Sequence, residues 1–366
     1  MADNLFIGLM SGTSLDGVDA ALVKIGEDGQ VTLVQQHFIA YPAKLRTSIL
    51  SLQHPTHNEL ETSALIANKL ASLYALVVEQ LLRKAHTEKN EISAIGAHGQ
   101  TIRHRPELGF TLQICNAALL AELTGIRVIS DFRSRDIAAG GQGAPLVPAF
   151  HQAVFSSQTQ NRAIVNIGGI ANITYLGKSG TVFGFDSGPG NMLLDAWVSK
   201  HLALDYDEDG AWARTGQIIE PLLAAMLKDG YFSKSIPKST GRDLFNLSWL
   251  SQHLLKSHYA PSDVARTLVA LTAYSIHDAI HHYCADTDEI YLCGGGEKNS
   301  LLKHDLQQCF KHIPIKSTEI LGIGVDWVEA IAFAWLAKKC LAGETANLTT
   351  VTGAAGSRIL GAIYQV

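Results

Sequence analysis

The chain has 366 residues, of which 47% are apolar, and this length exceeds the size at which one hydrophobic core normally suffices. We therefore expect two domains, with a cleft between them available for a ligand. Lys and Arg number 29 against 34 Asp and Glu, giving a formal charge of −5 without a run of one sign, which argues against nucleic acid or an anionic membrane as a partner.

The sequence also predicts where the protein resides. Residues 1–8 lack a basic region followed by an apolar stretch, and no window approaches the roughly 20 uninterrupted apolar residues of a membrane span. The five cysteines are widely spaced and form no C-x-x-C pair, which favours a reducing cytoplasm over disulfides or a zinc knuckle. We expect a cytoplasmic protein with no membrane partner.

The N-terminal part begins with two apolar runs on either side of a glycine-rich turn, Ser11 to Gly17. Further along, Leu60 to Ala85 has apolar residues at the spacing of an amphipathic helix. The apolar runs predict strands at Phe6 to Met10, Val18 to Val23, Thr32 to Ala40, Ile92 to Ile95 and Ile126 to Ile129.

The same pattern starts again in the middle of the chain, around the turn Gly168-Gly169. Helices are predicted from Asn299 and over Asp326 to Cys340. Strands are predicted over Ala163 to Ile167, Ala171 to Leu176, Thr181 to Phe185, which ends at Asp186, and Glu289 to Cys293.

Two strand-turn-strand units, each followed by helical segments, predict a duplicated α/β architecture with one copy in each lobe. We place the N-terminal lobe at residues 1–135 and the C-terminal lobe at residues 136–366. The helix over 326–340 is an exception, because it could pack back onto the N-terminal lobe.

Three glycine-rich segments could bind phosphate or nucleotide. In the Ser11 to Gly17 turn, glycines admit phosphate oxygens to backbone amides and a carboxylate could hold hydrated Mg2+, although an ordinary hairpin turn has the same composition. Asp186 precedes a second loop, Ser187 to Asn191, where it could act as a general base or cap the helix that follows. Gly294-Gly295-Gly296 could lie against a purine or merely connect a strand to a helix.

Two charged motifs have competing interpretations. Arg133 follows a predicted strand and precedes a glycine loop, which suits a grip on a substrate carboxylate, or it could pair locally with Asp131 or Asp136. His277 and His281 are one helical turn apart like a zinc-protease motif, but no third ligand is evident and a helix face explains them better.

Taken together, seven segments resemble the anhydro-N-acetylmuramic acid kinases, members of the sugar kinase, Hsp70 and actin superfamily. They occur in family order over nearly the whole chain. The segments are Gly8 to Asp19, Ala97 to Thr101, Asp131 to Arg133, Ala139 to Leu146, Asn166 to Thr174, Gly184 to Asn191 and Cys293 to Gly296.

The resemblance implies a two-lobed actin-like fold, a duplicated ribonuclease H-like architecture with the active site in the interlobe cleft. It also implies a kinase that uses ATP, Mg2+ and water to convert 1,6-anhydro-N-acetylmuramic acid to N-acetylmuramic acid 6-phosphate in cell-wall recycling. Asp186 would be the general base, and Arg133 would hold the lactyl carboxylate beside His98 and Glu329. The residues implied at the nucleotide are Gly12, Thr13, Ser14, Leu15, Asp16, Gly17, Val18, Asp19, Gly188, Gly294 and Gly295, with Asp16 and Asp19 contacting Mg2+ through water.

Two rival functions stay open at this point. The first is a kinase for an ordinary amino sugar, in which Asp186 would deprotonate a sugar hydroxyl instead of water. The second is an actin-like ATP-dependent assembly protein or chaperone. A homodimer is the common default for a protein of this kind.

Overall fold

The computed structural model describes residues 4–12, 15–53, 55, 57–242, 244–254 and 258–366. Over these residues the chain divides into two compact units, one made of 1–154 with 327–366 and the other of 155–326. The strands are β1 Leu5–Met10, β2 Gly17–Ile25, β3 Val31–Ala40, β4 Ile92–Ala97, β5 Gln100–Arg105, β6 Phe110–Ile114, β7 Val128–Ser130, β8 Arg162–Ile167, β9 Ile170–Leu176, β10 Val182–Pro189, β11 Glu289–Cys293, β12 Ile315–Ser317 and β13 Ala362–Tyr364. The α-helices are α1 Ala43–Ser51, α2 Glu59–Ala85, α3 Ala117–Thr124, α4 Ser134–Ala138, α5 Val147–Phe155, α6 Met192–Leu202, α7 Glu220–Leu227, α8 Leu247–Leu254, α9 Pro261–Tyr283, α10 Ser300–Cys309, α11 Val328–Leu341 and α12 Thr349–Thr352.

Each unit is built around one mixed sheet. The first sheet has six strands in the order β13-β7-β4-β1-β2-β3, and the second has five in the order β10-β9-β8-β11-β12. The meander of three antiparallel strands is β1-β2-β3 in the first sheet and β8-β9-β10 in the second. Two further strands then extend each sheet on the other side of its first strand and run parallel to it, β4 and β7 beside β1, and β11 and β12 beside β8. The shared order confirms the predicted α/β fold with a duplicated, actin-like arrangement.

The predicted helix near residue 330 is α11, and it packs on the sheet of the first unit. Its backbone lies so close to the strands that a Cβ on Gly8 would sit 1.7 Å from the carbonyl oxygen of Ala330. Gly96 on β4 meets the carbonyl of Phe333 in the same way, at 2.1 Å. Glycine at these two strand positions is therefore what allows the C-terminal helix to cover the N-terminal sheet.

The two units differ from the predicted lobes, which met between residues 135 and 136. The first unit extends to residue 154 and also includes residues 327–366. Asp136 explains much of this difference. Its carboxylate is fully buried and accepts hydrogen bonds from Asn347 Nδ2 at 2.6 Å and Thr352 Oγ1 at 2.7 Å. These bonds tie the start of the predicted second lobe to the C-terminal segment of the first unit.

Helix α2 is the one helix, among the described residues, whose length and composition would allow it to cross a membrane. One of its faces is buried in the core of the first unit, and the residues of that face are Ile66, Leu70, Ala71, Tyr74, Val77, Val78 and Leu81. Core packing accounts for the apolar character of this helix.

Candidate active site

The predicted site residues fall into two sets, one in each unit. Thr13 and Ser14 lie outside the described residues. The set of the first unit comprises Gly12, Leu15, Asp16, Gly17, Val18, Asp19, His98, Arg133 and Glu329, and the set of the second comprises Asp186, Gly188, Gly294 and Gly295.

The first glycine-rich turn joins β1 to β2 and is anchored from beneath by buried polar side chains. The carbonyl of Gly12 accepts a hydrogen bond from Gln100 Nε2 at 3.1 Å, and Tyr41 donates to the Oε1 of that glutamine at 3.1 Å. Tyr74 donates to Ser11 Oγ at 2.8 Å, and burial raises the pKa of this tyrosine well above its usual value. Burial raises the pKa of Tyr41 to about 12, so both phenols stay protonated and act as fixed donors beneath the turn.

Leu15 and Gly17 show how the turn itself is shaped. Leu15 is buried but has a φ of 58°, a left-handed conformation that L-residues seldom adopt. A Cβ on Gly17 would sit 2.3 Å from the carbonyl oxygen of Ile39, so the pairing of β2 with β3 requires glycine there. Burial of the Leu15 side chain holds this residue in its left-handed conformation.

The two carboxylates of this turn differ in exposure. Asp16 is exposed, and its Oδ1 accepts a hydrogen bond from the backbone amide of Gly17 at 2.9 Å. Asp19 lies within β2, opposite Met10, and is half-buried between the buried Val18 and Ala20. No cluster of three or more metal-ligating side chains occurs in the described part of the chain. Carboxylate oxygens are suitable ligands for Mg2+, and an ion held here would keep water ligands.

Arg133 binds His98 rather than a neighbouring carboxylate. Its Nε and one terminal nitrogen donate to His98 Nε2 at 3.1 and 2.9 Å, and the other terminal nitrogen donates to the carbonyl of Gly143 at 2.8 Å. The local pairing of Arg133 with Asp131 or Asp136 is therefore not the arrangement found. A guanidinium has five N–H groups, so these contacts leave two for a ligand.

The neighbours of His98 fix its protonation state. Burial and the positive charge of Arg133 hold its pKa well below the usual value, so the ring is neutral and its Nδ1 carries the proton. That Nδ1 makes no hydrogen bond of good geometry among the described residues, although the backbone of Gly99 and Ser11 acts to raise the pKa of the ring. The ring also lies 4.7 Å from the ring of Phe333, centroid to centroid.

Glu329 stands one helical turn before Phe333, in the first turn of α11. Burial raises the pKa of its carboxyl group, while the charge of Arg133 opposes the rise and that of Asp16 adds to it. His98, Arg133 and Glu329 thus share one region of the first unit, and Asp16 is close enough to affect it electrostatically.

In the second unit, Asp186 lies within a strand. β10 continues to Pro189, so the predicted strand end at Asp186 is wrong, and the register of β10 against β9 shifts between Asp186 and Gly188. Such a β-bulge redirects side chains at the edge of a site. Asp186 does not cap the following helix, because the N-cap residue of α6 is Asn191.

The environment of Asp186 suits a general base. Burial raises its pKa to about 7, although the backbone amide of Thr240 and the charge of Lys238 both act to lower it. The amide of Thr240 donates to Asp186 Oδ2 at 2.9 Å. A carboxylate with a pKa near neutrality can accept a proton in the transition state and still be ionised often enough to do so.

The loop after Asp186 is closed by the turn Gly168-Gly169. The amides of Gly190 and Met192 donate to the carbonyl of Gly169 at 2.9 and 3.1 Å, and the amide of Asn191 donates to that of Gly168 at 2.8 Å. These three amides therefore do not face a nucleotide, contrary to the expectation from the glycine content. Position 188 requires glycine for steric reasons, since a Cβ there would sit 2.8 Å from the ring of Phe232.

The three glycines after β11 have different reasons to be glycine. A Cβ on Gly294 would sit 2.4 Å from Asn166 Oδ1, and one on Gly296 would sit 2.3 Å from Ile167 Cγ2. At the exposed Gly295 the nearest atom is Asn191 Nδ2, at 3.8 Å. Close contacts with Asn166 and Ile167 thus explain the outer two glycines but not the central one.

Comparison with known proteins gives consistent results. The family model described as anhydro-N-acetylmuramic acid kinase matches residues 4–366. Proteins of that name from Nitrosospira multiformis and Thiobacillus denitrificans are each 51% identical over 361 residues, covering 98% of this chain and 98% and 96% of their own lengths. Among solved structures, component A of the Acidaminococcus fermentans (R)-2-hydroxyglutaryl-CoA dehydratase is 14% identical to this chain, with a TM-score of 0.49. The match covers 92% of this chain and 99% of that protein's chain. This similarity is too low to inform function.

Proposed function

The chain belongs to the anhydro-N-acetylmuramic acid kinase family, and on that premise we propose how its residues perform the reaction. It is a phosphotransferase that acts on 1,6-anhydro-N-acetylmuramic acid in cell-wall recycling, with ATP as phosphoryl donor. The family match over residues 4–366 carries this assignment. The two rival functions, an ordinary amino-sugar kinase and an actin-like assembly protein, are not favoured by relatives that share half of their residues with this chain.

The proposed chemistry couples two steps. Asp186 takes a proton from water, whose oxygen attacks the anomeric carbon C1 and forms a bond to it. The C1–O6 bond of the anhydro bridge breaks, and O6 keeps the electron pair and attacks the γ-phosphorus of ATP, releasing ADP. The product, N-acetylmuramic acid 6-phosphate, carries the water oxygen at C1.

The pKa and the orientation of the Asp186 carboxyl group support its role as the general base. Water is a poor nucleophile until a base removes its proton, and a base is most effective when its pKa lies near the working pH. Burial supplies that pKa, and the Thr240 amide fixes the orientation of one carboxylate oxygen.

The first turn would position the phosphates. Gly12 to Asp19 would lie against the β- and γ-phosphates, while Asp16 and Asp19 would hold hydrated Mg2+. When bound, the ion would neutralise charge that develops on the transferred phosphoryl group. Gly295 would let the adenosine approach the backbone closely, since the nearest protein atom to a Cβ there, Asn191 Nδ2, is 3.8 Å away.

Arg133 would bind the lactyl carboxylate with the N–H groups that His98 and Gly143 leave available. A charge-assisted bond of this kind distinguishes the muramic sugar from its glucosamine counterpart. His98 and Glu329 would complete this side of the sugar pocket. A cytoplasmic location and a homodimer remain predictions.

The test of the coupled reaction is an assay of ADP release with and without 1,6-anhydro-N-acetylmuramic acid in H2(18)O. We expect ADP only when the sugar is present, and one solvent oxygen at C1 of each product molecule. No product from the anhydro sugar, with ADP released when N-acetylmuramic acid is supplied instead, would indicate the ordinary sugar kinase, because O6 is not a free hydroxyl while it forms the anhydro bridge. Sugar-independent ATP hydrolysis accompanied by a sedimenting polymer would indicate the assembly protein.

A further inference from the structure

A segment distant in sequence from Asp186 clamps it at three points. We call residues 231–240 the 231–240 segment. The amide of Asp186 donates to the carbonyl of Lys238 at 3.1 Å, and the amide of Thr240 donates to the carboxylate at 2.9 Å. The hydroxyl of Tyr231 donates to the carbonyl of Asp186 at 2.7 Å. Both backbone polar groups and one side-chain oxygen of Asp186 are therefore held by a single segment.

Lys238 is the unusual residue of this segment, because lysine is rarely buried and this one is only 8% exposed. Its Nζ donates to the carbonyl of Phe232 at 3.2 Å and lies 5.0 Å from the ring centre of Tyr231 and 5.7 Å from that of Tyr283. Aromatic faces stabilise an ammonium group that has lost water. The protein thus holds a positive charge inside the second unit.

The charged and titratable groups around Lys238 show what the charge acts on. Burial lowers the pKa of its ammonium group, the negative charge of Asp186 opposes that shift, and the like charge of Lys234 adds to it. Tyr231 faces both Lys238 and Asp186, and burial followed by the charge of Asp186 raises the pKa of its phenol, which therefore stays neutral. The negative charge of Asp186 thus favours the protonated, positively charged form of Lys238.

We propose that the 231–240 segment positions the Asp186 carboxylate and that the buried Lys238 ammonium of this segment is its counter-charge. The inference rests on the proposed role of Asp186 as the base. Lys238 acts through Asp186 and need not touch the substrate, so it is a positioning residue.

The balance of forces on Asp186 explains why a counter-charge is useful. Burial alone favours the protonated acid, which cannot accept a proton from water. The Thr240 amide and the Lys238 charge each pull the pKa down, and the result is about 7. Without the charge, the carboxyl would be protonated over more of the neutral range, and activity would be lost as the pH falls.

The experiment is the pH profile of kcat/KM for the anhydro sugar in wild type and in Lys238→Met, Lys238→Gln and Lys238→Arg. We expect the acid limb to move upward by about one pH unit in the two neutral variants and to stay near that of wild type in the arginine variant. At a pH well above the shifted limb, the neutral variants should approach wild-type activity. An unmoved limb, or an equal loss at every pH, would overturn the proposal, because a purely structural lysine predicts that pattern.

A reciprocal measurement avoids any change at Lys238. Because the coupling between two charges is mutual, Asp186→Asn should lower the pKa of Lys238, measured by NMR of the 15N-labelled lysine Nζ. An unchanged Lys238 pKa in that variant would contradict the counter-charge even if every Lys238 variant misfolds. If Asp186→Asn still turns over the sugar, the proposed base itself is wrong; if it is inactive while the Lys238 limb and pKa do not move, only this inference fails.

Discussion

Arg133 donates two hydrogen bonds to a single nitrogen of His98, at 3.1 and 2.9 Å to Nε2. A protonated imidazole has no lone pair to accept them, so the pair exists only while His98 is neutral. His98 therefore orients the guanidinium, and we expect its influence on the sugar to pass through Arg133.

On this basis, His98→Ala should raise KM for the anhydro sugar by about tenfold, the cost of one hydrogen bond to a charged group, with KM for ATP nearly unchanged. His98→Gln should recover part of the loss, because its amide oxygen can accept a bond from the guanidinium. Steady-state kinetics with each substrate varied in turn provide the measurement. Equal effects on sugar and ATP in the alanine variant would mean that His98 supports the fold rather than Arg133.

Arg133→Ala should weaken binding of the anhydro sugar far more than binding of ATP. A charge-assisted bond to a carboxylate is worth about 1.5–3 kcal/mol. The matched ligand is anhydro-N-acetylglucosamine, which lacks the lactyl group, and wild type should prefer the muramic sugar where the variant does not. Calorimetric titration with both sugars measures this, and undiminished discrimination in Arg133→Ala would remove the carboxylate contact.

Gly12→Val should abolish binding of ATP with Mg2+ while leaving the sugar site intact. A side chain at this position would keep phosphate oxygens away from the backbone amides of the turn. Gln100 should still hold the carbonyl of residue 12 and preserve the base of the turn. Calorimetry with ATP, next to a thermal melt of the same sample, provides the check; a folded variant that binds ATP normally would contradict the first phosphate loop.

Gly295 and Gly296 form a matched pair for the adenosine contact. Gly295→Ala should leave the melting temperature unchanged, because no atom lies closer than 3.8 Å to the new Cβ, yet weaken ATP binding by about tenfold through contact with the nucleotide. Gly296→Ala should instead destabilise the fold by about 1–3 kcal/mol, since its Cβ would overlap Ile167. If Gly295→Ala binds ATP like wild type, the adenosine lies elsewhere.

The parts of the fold that sequence alone predicted are those encoded by neighbours along the chain. Apolar runs bounded by glycines gave the meander of each sheet, and their recurrence gave the duplication. Helix α2 was predicted over Leu60 to Ala85 and is found over Glu59–Ala85. The prediction succeeded because apolar residues recur at helical spacing along this segment. Residue type and position suggested a base at Asp186 and a carboxylate contact at Arg133, the family resemblance specified the water and the lactyl group, and these roles stay predictions.

What sequence did not predict are contacts between distant residues. Asp136 bonds to Asn347 and Thr352, which are 211 and 216 residues away, and nothing near Asp136 indicates such partners. Lys238 likewise stands in an unremarkable polar stretch, and its importance appears only when its carbonyl is seen to bind the amide of Asp186. A buried charge can be identified once the fold places it inside a core, whereas the residue type alone indicates a surface position.

Asp186→Asn should reduce turnover by about 100-fold to 10,000-fold while both ligands still bind. Asparagine has the shape of aspartate and its side-chain oxygen can still accept from the Thr240 amide, but it cannot take a proton from water. Formation of ADP and opening of the sugar should fall together, because the two steps are coupled. Near-normal activity would exclude the general base, and ATP cleavage without ring opening would separate the steps.

The same substitution should make the protein more stable, and the pH dependence of the gain identifies its cause. The Asp186 pKa is about 7 in the folded protein and about 4 when unfolded, so between these values the unfolded chain has lost its proton while the folded protein keeps it. The folded state therefore loses stability as the pH rises from about 4 to about 7, and no further loss follows above that range. Asparagine does not titrate, so the stability advantage of Asp186→Asn should be small at pH 4, grow up to about pH 7 and then level off. Urea unfolding of both proteins across this range measures the difference, and an advantage independent of pH would show that the burial of Asp186 does not destabilise its charged form.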